Sequence, residues 1–132
     1  MTPSASDSAA SSTANPVALG QHSLFDFHGC EAEALRATQR LREEMLQAVR
    51  TAGGTIVNDT FHTFSPHGVS GVIVIAESHV TLHTWPEFGY AAVDVFSCGV
   101  TLQHEIIRDH LARILKATRI EQRAFPRGAI AR

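Results

Sequence analysis

Three side chains that can carry chemistry lie close together in the sequence of this 132-residue chain. His83 follows Ser78 by five residues and Cys98 follows it by twenty, in a stretch otherwise made of strand-forming apolar residues. A hydroxyl or thiol can act as a nucleophile, and an imidazole can accept or donate a proton near neutral pH. Reactive groups of these types at a strand junction suggest a chemical role.

Each of these residues also has an ordinary structural interpretation. The serine follows Glu77 at a strand end, where serine is commonly a turn residue. A histidine on a strand is commonly half-buried and hydrogen-bonded, and a cysteine in an apolar strand commonly packs as a small hydrophobic residue. Because the chain has eight histidines, some lie near a serine by chance. The three residues alone therefore do not establish an active site.

The composition indicates one globular domain, since 44% hydrophobic and 18% charged residues suffice for a modest core. The formal net charge is −2 and both signs are spread along the chain, so we expect no nucleic-acid partner. No apolar run approaches the roughly 20 residues that span a bilayer, and no secretory signal is evident. We therefore expect a cytoplasmic protein without membrane contact, in which Cys30 and Cys98 are free thiols.

Residues 1–19 are rich in Ser, Ala, Thr and Pro, and we expect a disordered tail there. The domain is expected to span residues 20–126 and to begin with a strand at His22–His28. One amphipathic helix is predicted over Glu31–Ala52, because apolar residues recur at intervals of three and four. The glycine pair that follows is its stop signal.

The rest of the domain is predicted as strands and one further helix. β-Branched, aromatic and alternating apolar residues indicate strands at Thr55–Phe64, Val69–Ala76, Val80–Thr84, Tyr90–Cys98 and Thr118–Phe125. The second helix is predicted from about Thr101 to Lys116, and residues 127–132 are expected to be a loose tail. This order predicts an α+β fold, a two-layer sandwich in which two helices pack on one face of an antiparallel β-sheet. The other face then needs cover, which a partner subunit could provide.

Several separate motifs in register resemble the short prokaryotic S-adenosylmethionine decarboxylases. They are Gly20-Gln21-His22, Asp26-Phe27-His28-Gly29-Cys30, Phe64-Ser65-Pro66-His67-Gly68-Val69-Ser70-Gly71, Glu77-Ser78-His79, His83-Thr84-Trp85-Pro86-Glu87 and Tyr90-Ala91-Ala92-Val93-Asp94-Val95-Phe96-Ser97-Cys98-Gly99. The resemblance covers roughly residues 20–125 and is strongest in the middle third. A set of motifs in one register is far more specific than a single short pattern.

The resemblance implies a proenzyme that cleaves itself between Glu77 and Ser78, giving a β chain of residues 1–77 and an α chain of residues 78–132. Ser78 Oγ would attack the Glu77 carbonyl carbon, and the resulting ester would be eliminated to leave a pyruvoyl group at position 78. The attack is unfavourable in a relaxed peptide, so the fold must strain this bond and stabilise the oxyanion. The pyruvoyl group is the implied cofactor, and it would form a Schiff base with the substrate amino group.

Family resemblance also implies roles for other residues. His83 would be the proton acceptor in processing, Ser70 would assist processing, and Cys98 would donate a proton after decarboxylation. Because Cys98 precedes the second predicted helix, the helix dipole would favour its thiolate, whereas a donor must hold its proton. The sequence leaves that conflict open.

The implied substrate, S-adenosylmethionine, carries a sulfonium and an adenine, for which aromatic faces and a carboxylate are suitable contacts. Phe64 would stack on the adenine or face the sulfonium, Glu87 would bind the ribose hydroxyls, and Trp85 would line the pocket. No metal site is indicated. We expect the active site to lie at the interface of a homodimer of αβ protomers, because a single-layer sheet offers no deep cleft. The product would be the aminopropyl donor for spermidine and polyamine biosynthesis.

Two other functions remain open at this point. A related pyruvoyl enzyme could decarboxylate arginine or ornithine, because the processing motif makes the cofactor without choosing the substrate. Alternatively, the chain could be a non-enzymatic, uncleaved paralogue that regulates an active partner.

Overall fold

One antiparallel sheet organises the part of the chain that the structure, a computed structural model, describes, which is residues 17–130. Its strands lie in the order β2-β3-β4-β5-β1-β6, and every neighbouring pair is antiparallel. The elements are β1 (Val17–His28), α1 (Ala32–Arg36), α2 (Thr38–Thr51), β2 (Ile56–Thr63), β3 (Val69–Ile75), β4 (Ser78–Trp85), β5 (Tyr90–Cys98), α3 (His104–Leu115) and β6 (Arg119–Ile130), with a short 3₁₀ turn at Pro86–Phe88. The predicted α+β fold is confirmed.

The helices cover only one face of the sheet. Along β5, Ala91, Val93, Val95 and Ser97 are buried, whereas the residues between them are half-buried or exposed. This alternation is that of a strand with one face in the core and one face open. The core between sheet and helices includes Phe25, Phe27, Leu41, Met45, Ile73, Leu82, Ile107 and Leu111. We call the other side of the sheet the open face.

No helix among the described residues is long and apolar enough to cross a membrane.

The first predicted helix is interrupted, which corrects the prediction of one helix over Glu31–Ala52. α1 ends at Arg36, Ala37 has a non-helical ψ of 78°, and α2 begins at Thr38. The carbonyl of Leu35 accepts a hydrogen bond of 2.7 Å from the buried hydroxyl of Thr84, on β4. Because a tertiary partner satisfies this carbonyl, the backbone bond of a continuous helix is not needed there.

The domain extends beyond both of its predicted ends, 20 and 126. β1 begins at Val17, so residues 17–19 belong to a strand and not to the predicted tail. β6 continues to Ile130, so residues 127–130 are paired with β1 and are not loose. Pro126 does not end the strand, because β6 is at the sheet edge and proline is tolerated where one side of a strand is unpaired. The predictions for residues 1–16 and 131–132 lie outside the described residues.

The strand order interleaves the two halves of the chain. Residues before Ser78 supply β1, β2 and β3, and residues from Ser78 onward supply β4, β5 and β6. β1 lies between β5 and β6, so a strand from the first half is hydrogen-bonded on both sides to strands from the second half. The halves therefore share one sheet and one core.

Breaking the peptide bond between Glu77 and Ser78 should leave residues 1–77 and 78–132 associated. Separating them would require removal of β1 from between two strands and exposure of the shared core. We expect a broken chain to elute as one species in native size-exclusion chromatography and as two bands on a denaturing gel. Dissociation should occur only at denaturant concentrations that also abolish the circular dichroism of the sheet. Two species in native buffer would contradict this interlocked arrangement.

Candidate active site

The bond between Glu77 and Ser78 lies in the two-residue turn that joins β3 to β4. Ile75 pairs with Ser78 across this hairpin. Thr55 holds the turn from outside: its carbonyl accepts a 2.8 Å bond from the Ala76 N–H, and its own N–H donates to Glu77 Oε1 at 3.0 Å. The Thr55 hydroxyl donates to Glu77 Oε2 at 3.3 Å. The Thr55 N–H is the main cause that lowers the pKa of the Glu77 carboxyl, which favours its charged, anchored form.

The carbonyl oxygen of Glu77 accepts a hydrogen bond of 2.9 Å from the backbone N–H of Cys98. This oxygen is the atom that gains negative charge if a nucleophile attacks the Glu77 carbonyl carbon. A backbone N–H already directed at it is the arrangement of an oxyanion hole. Sequence reasoning missed this role of Cys98, because it depends on the register in which Ser78 pairs with Ser97.

The backbone at Ser78 has an unusual φ of 154°. Two-residue hairpins ordinarily place positive φ at the turn residues, where glycine, asparagine or aspartate accept it. Neither Ala76 nor Glu77 has a positive φ, and the unusual angle falls on Ser78 instead. Among the described residues, only Ser78 and Lys116 have positive φ without being glycine. A conformation of this kind in a residue other than glycine costs on the order of 1–3 kcal/mol, so the backbone is strained at the residue that follows the Glu77–Ser78 bond.

The two thiols have different surroundings. Cys98 is exposed at the end of β5, whereas Cys30 is buried. Burial raises the pKa of Cys30 to about 11, which keeps that thiol protonated and unreactive. The predicted influence of a helix dipole on Cys98 is wrong in its geometry, because α3 begins at His104 and not near Thr101. Such an effect is confined to the first turn of a helix.

A second cluster of predicted site residues lies at the other end of β3 and β4. Ser70 and His83 pair across these strands, and a hydrogen bond of 2.8 Å joins Ser70 Oγ and His83 Nδ1. A cavity of about 230 Å³ adjoins them and is also lined by Phe64, Trp85 and Glu87. This volume is below the roughly 300–1,000 Å³ of ordinary ligand pockets. The cavity is therefore smaller than a complete ligand-binding site.

Stacked rings support one wall of this cavity. The Trp85 ring stacks on Tyr90 with centroids 5.1 Å apart, and Tyr90 stacks on His28 at 5.2 Å. The Tyr90 hydroxyl donates a 2.6 Å hydrogen bond to Asp26 Oδ1. Burial, followed by this hydrogen bond, raises the pKa of Tyr90 to about 12. Phe64 is 50% exposed beside the same cavity, so its ring is available for contact.

The side chains of Asp26, His28 and Glu121 bring three possible metal-ligand atoms within 4.8 Å of one another. Their charges and hydrogen bonds already have protein partners. Glu121 bonds to His28 Nε2 at 3.0 Å, and this bond is the main cause that lowers the Glu121 pKa. Arg119 pairs with Glu121 at 3.2 Å, and Arg123 lies 4.0 Å from Asp26. We interpret this group as an ion-pair network that joins β1 to β6.

The two clusters do not meet within one copy of the chain. His83 follows Ser78 by five residues on β4, which corresponds to about 17 Å at about 3.3 Å per residue. Glu77, Ser78 and Cys98 are thus at one end of β4, and Phe64, Ser70, His83, Trp85 and Glu87 are at the other. Along β5, even-numbered residues face away from the core, and His83 pairs with Ala92 among them. Cys98 and His83 therefore share the open face at a distance.

Known proteins resemble this chain over most of its length. The profile of a family described as S-adenosylmethionine decarboxylase matches residues 21–128. An S-adenosylmethionine decarboxylase proenzyme from Thermotoga petrophila is 48% identical over 110 residues, covering 83% of this chain and 85% of the relative. The proenzyme from Acidithiobacillus ferrooxidans is 44% identical over 112 residues, covering 85% and 84%. A crystal structure of adenosylmethionine decarboxylase from Aquifex aeolicus has a TM-score of 0.78 and 36% identity, covering 84% of this chain and 92% of that one.

Titration of Tyr90 offers a direct check of the ring stack. The chain has one tyrosine, so the ultraviolet absorbance of phenolate reports Tyr90 alone. The folded protein should titrate with a pKa of about 12, and the denatured protein should titrate near the reference value of about 10. Because the pKa of Tyr90 is higher in the folded protein, its contribution to the free energy of unfolding is full below about pH 10 and is lost as the pH rises through about 12.

The Asp26→Asn variant should lower the folded pKa of Tyr90, because a carboxylate near the phenol no longer disfavours the phenolate. A folded wild-type protein that titrates at the denatured value would contradict the Tyr90–Asp26 bond.

Proposed function

The chain belongs to the S-adenosylmethionine decarboxylase family, and from this premise we propose that it cleaves itself at Glu77-Ser78 and then decarboxylates S-adenosylmethionine. The observation that carries the proposal is the set of contacts around this one bond. Its carbonyl oxygen accepts the Cys98 N–H, its glutamate side chain is anchored by Thr55, and its serine has a strained φ. The product would serve as the aminopropyl donor in polyamine biosynthesis.

Self-cleavage begins when Ser78 Oγ attacks the carbonyl carbon of Glu77. The electron pair of the C=O bond moves to oxygen, where the Cys98 N–H stabilises it. The C–N bond then breaks, the Ser78 nitrogen takes the proton that Oγ gives up, and an ester joins the two residues. This step converts an amide into a less stable ester, so relief of the strain at Ser78 contributes to its driving force.

The ester is then eliminated. A base removes the α-proton of Ser78, and the bond between Cβ and the ester oxygen breaks. Glu77 leaves as the carboxylate at the end of residues 1–77. The dehydroalanine at position 78 takes up water and releases ammonia, which leaves a pyruvoyl group. That group supplies a ketone that can condense with a substrate amino group and withdraw electrons from the bond to the carboxyl carbon.

His83 is the proposed base, and Ser70 positions it through the 2.8 Å hydrogen bond. Because about 17 Å of β4 separates His83 from Ser78, a second copy of the chain must supply it. A two-fold axis solves this problem, since it brings one patch of each copy against a different patch of the other. In such a dimer, Ser78 of each copy would meet Ser70 and His83 of the other, and two equivalent sites would form.

The open face is the surface on which the second copy would dock. It carries Cys98 and His83, and the helices do not cover it. It also has an apolar groove of about 240 Å³ over β2, β3 and β4, lined by residues that include Val72 and Thr81. Covering this face would bury apolar surface and would complete the partial cavity beside Trp85 in the same event.

The substrate would bind in the completed cavity. A sulfonium or adenine can lie against the exposed face of Phe64 or against Trp85, where a cation over an aromatic ring is stabilised by about 0.5–2 kcal/mol. Glu87 can accept hydrogen bonds from ribose hydroxyls. Cys98 would return a proton to the substrate α-carbon, and its exposed thiol next to the processing site suits that role.

The first test measures whether the purified chain is cleaved and whether it releases the labelled carboxyl carbon of a substrate as carbon dioxide. Purified protein should run as two chains and release labelled carbon dioxide from S-adenosylmethionine, but not from arginine or ornithine. Ser78→Ala should remain one chain of about 14.3 kDa and release none. Wild-type protein that stays uncleaved would favour a regulatory paralogue, and release only from arginine or ornithine would overturn the substrate assignment.

Cys98→Ala is the informative companion variant. It keeps the backbone N–H that binds the Glu77 carbonyl and removes only the thiol. It should therefore cleave, while its decarboxylation rate should fall by about 100-fold or more, as for the loss of a general acid. A normal turnover number would show that the thiol is not the proton donor.

Complementation between two inactive variants tests the shared site. The Ser78→Ala chain has His83 but no nucleophile, and the His83→Ala chain has Ser78 but no base. Each should stay uncleaved alone. When they are co-expressed, mixed dimers should contain one complete site, so the His83→Ala chain should be cut and the Ser78→Ala chain should not. If the mixture stays uncleaved although mixed dimers form, His83 of a second copy is not the base.

A further inference from the structure

Two serine hydroxyls are buried on the core side of the sheet and bind one histidine. Ser23 on β1 is 6% exposed and Ser97 on β5 is 2% exposed. Ser23 Oγ lies 2.7 Å from His104 Nδ1, and Ser97 Oγ lies 2.7 Å from His104 Nε2. Both ring nitrogens are therefore engaged, and each buried hydroxyl has a partner.

The bond between Ser97 and His104 closes a loop. Ser97 is the residue before Cys98, and His104 is the first residue of α3, so the bond joins the two ends of the segment 98–103. The same segment is held at Leu102, which is buried, and at Gln103, whose N–H donates to the Ala52 carbonyl at 3.0 Å. The Cys98 N–H that binds Glu77 is thus the first amide of a loop fixed at both ends.

Burial lowers the pKa of His104, which keeps its imidazole neutral near pH 7. A neutral imidazole donates from one ring nitrogen and accepts at the other. It therefore links one donating and one accepting serine hydroxyl, and the orientation of all three side chains is fixed together. A rigid link of this kind limits the movement of the β5 end relative to β1.

We infer that His104 is a positioning residue for self-cleavage: through Ser97 it holds the Cys98 backbone N–H against the Glu77 carbonyl oxygen. The inference rests on the proposed function and adds to it a residue that touches neither the scissile bond nor the substrate. Ser97 is linked to both residues of the bond to be cleaved. It pairs with Ser78 across β4 and β5, and the residue after it, Cys98, donates to the Glu77 carbonyl oxygen. A shift at Ser97 moves both sides of the bond to be cleaved.

Packing of the core does not require polar side chains at the positions of this network. Among the described residues, the buried polar side chains are Ser23, Thr84 and Ser97, so two of the three bind His104. Neighbouring positions on the same side of β1 and β5, such as Phe25 and Val95, are fully apolar. The polar exception coincides with the strand end that contacts the scissile turn.

Two serine variants of matched chemistry test the inference. Ser97→Ala and Ser23→Ala each delete one buried hydroxyl and one 2.7 Å bond to the same imidazole. Only Ser97→Ala opens the base of the loop that carries Cys98. In a time course of freshly translated chain on a denaturing gel, Ser97→Ala should cleave at least tenfold more slowly than wild type. Ser23→Ala should stay within about threefold of it, with a comparable loss of thermal stability in both.

The histidine itself gives the second measurement. His104→Ala should slow cleavage as much as Ser97→Ala, and the double variant should be no slower than either single one, because both act through one link. His104→Gln keeps a donor and an acceptor and should recover part of the rate. Equal cleavage rates for the two serine variants would mean that the network only stabilises the fold and would overturn the inference. A wild-type chain that does not cleave would instead overturn the proposed function.

Discussion

The hydrogen bond from the Cys98 N–H to the Glu77 carbonyl oxygen is the contact on which the rest of the site depends. It joins the turn between β3 and β4 to the end of β5, and it lies beside the strained backbone of Ser78. Thr55 holds the Glu77 side chain from the opposite side. Because the bond is made by the backbone, it depends on strand register rather than on side-chain type, and a shift of one residue between β4 and β5 would remove it.

The sequence predicts well what local patterns determine. The bounds of β5 agree with the prediction, since alternation of apolar residues follows directly from one buried face. The break at Ala37 could not be predicted, because the bond that replaces the helical one comes from Thr84, far along the chain. The extension of β6 beyond Pro126 depends on its edge position, which is a property of the whole sheet.

The predicted site residues come from the family resemblance, but their division into two groups follows from geometry alone. In an antiparallel hairpin, a residue near the turn is far from a residue near the open end of the same strand. Ser78 begins β4 and His83 lies near its end, so residues close in sequence are held about 17 Å apart. In the symmetric dimer that we propose, each site would combine the Ser78 end of one copy with the His83 end of the other. Sequence spacing by itself contains no information on that distance.

The proposed self-cleavage and the stability of the fold would make opposite demands on the chain, and the interleaved sheet would reconcile them. Strain at Ser78 can persist only where the surrounding structure fixes the chain on both sides. The same cut would divide the chain, yet β1 is hydrogen-bonded to β5 and β6, and Ser23 on β1 is bonded to His104 on α3. Two contacts at this bond, from the Cys98 N–H to the Glu77 carbonyl and between Ser78 and Ile75, join the two segments that cleavage would produce. A fold with this strand order can lose the bond between Glu77 and Ser78 without losing the register that places Cys98 beside it.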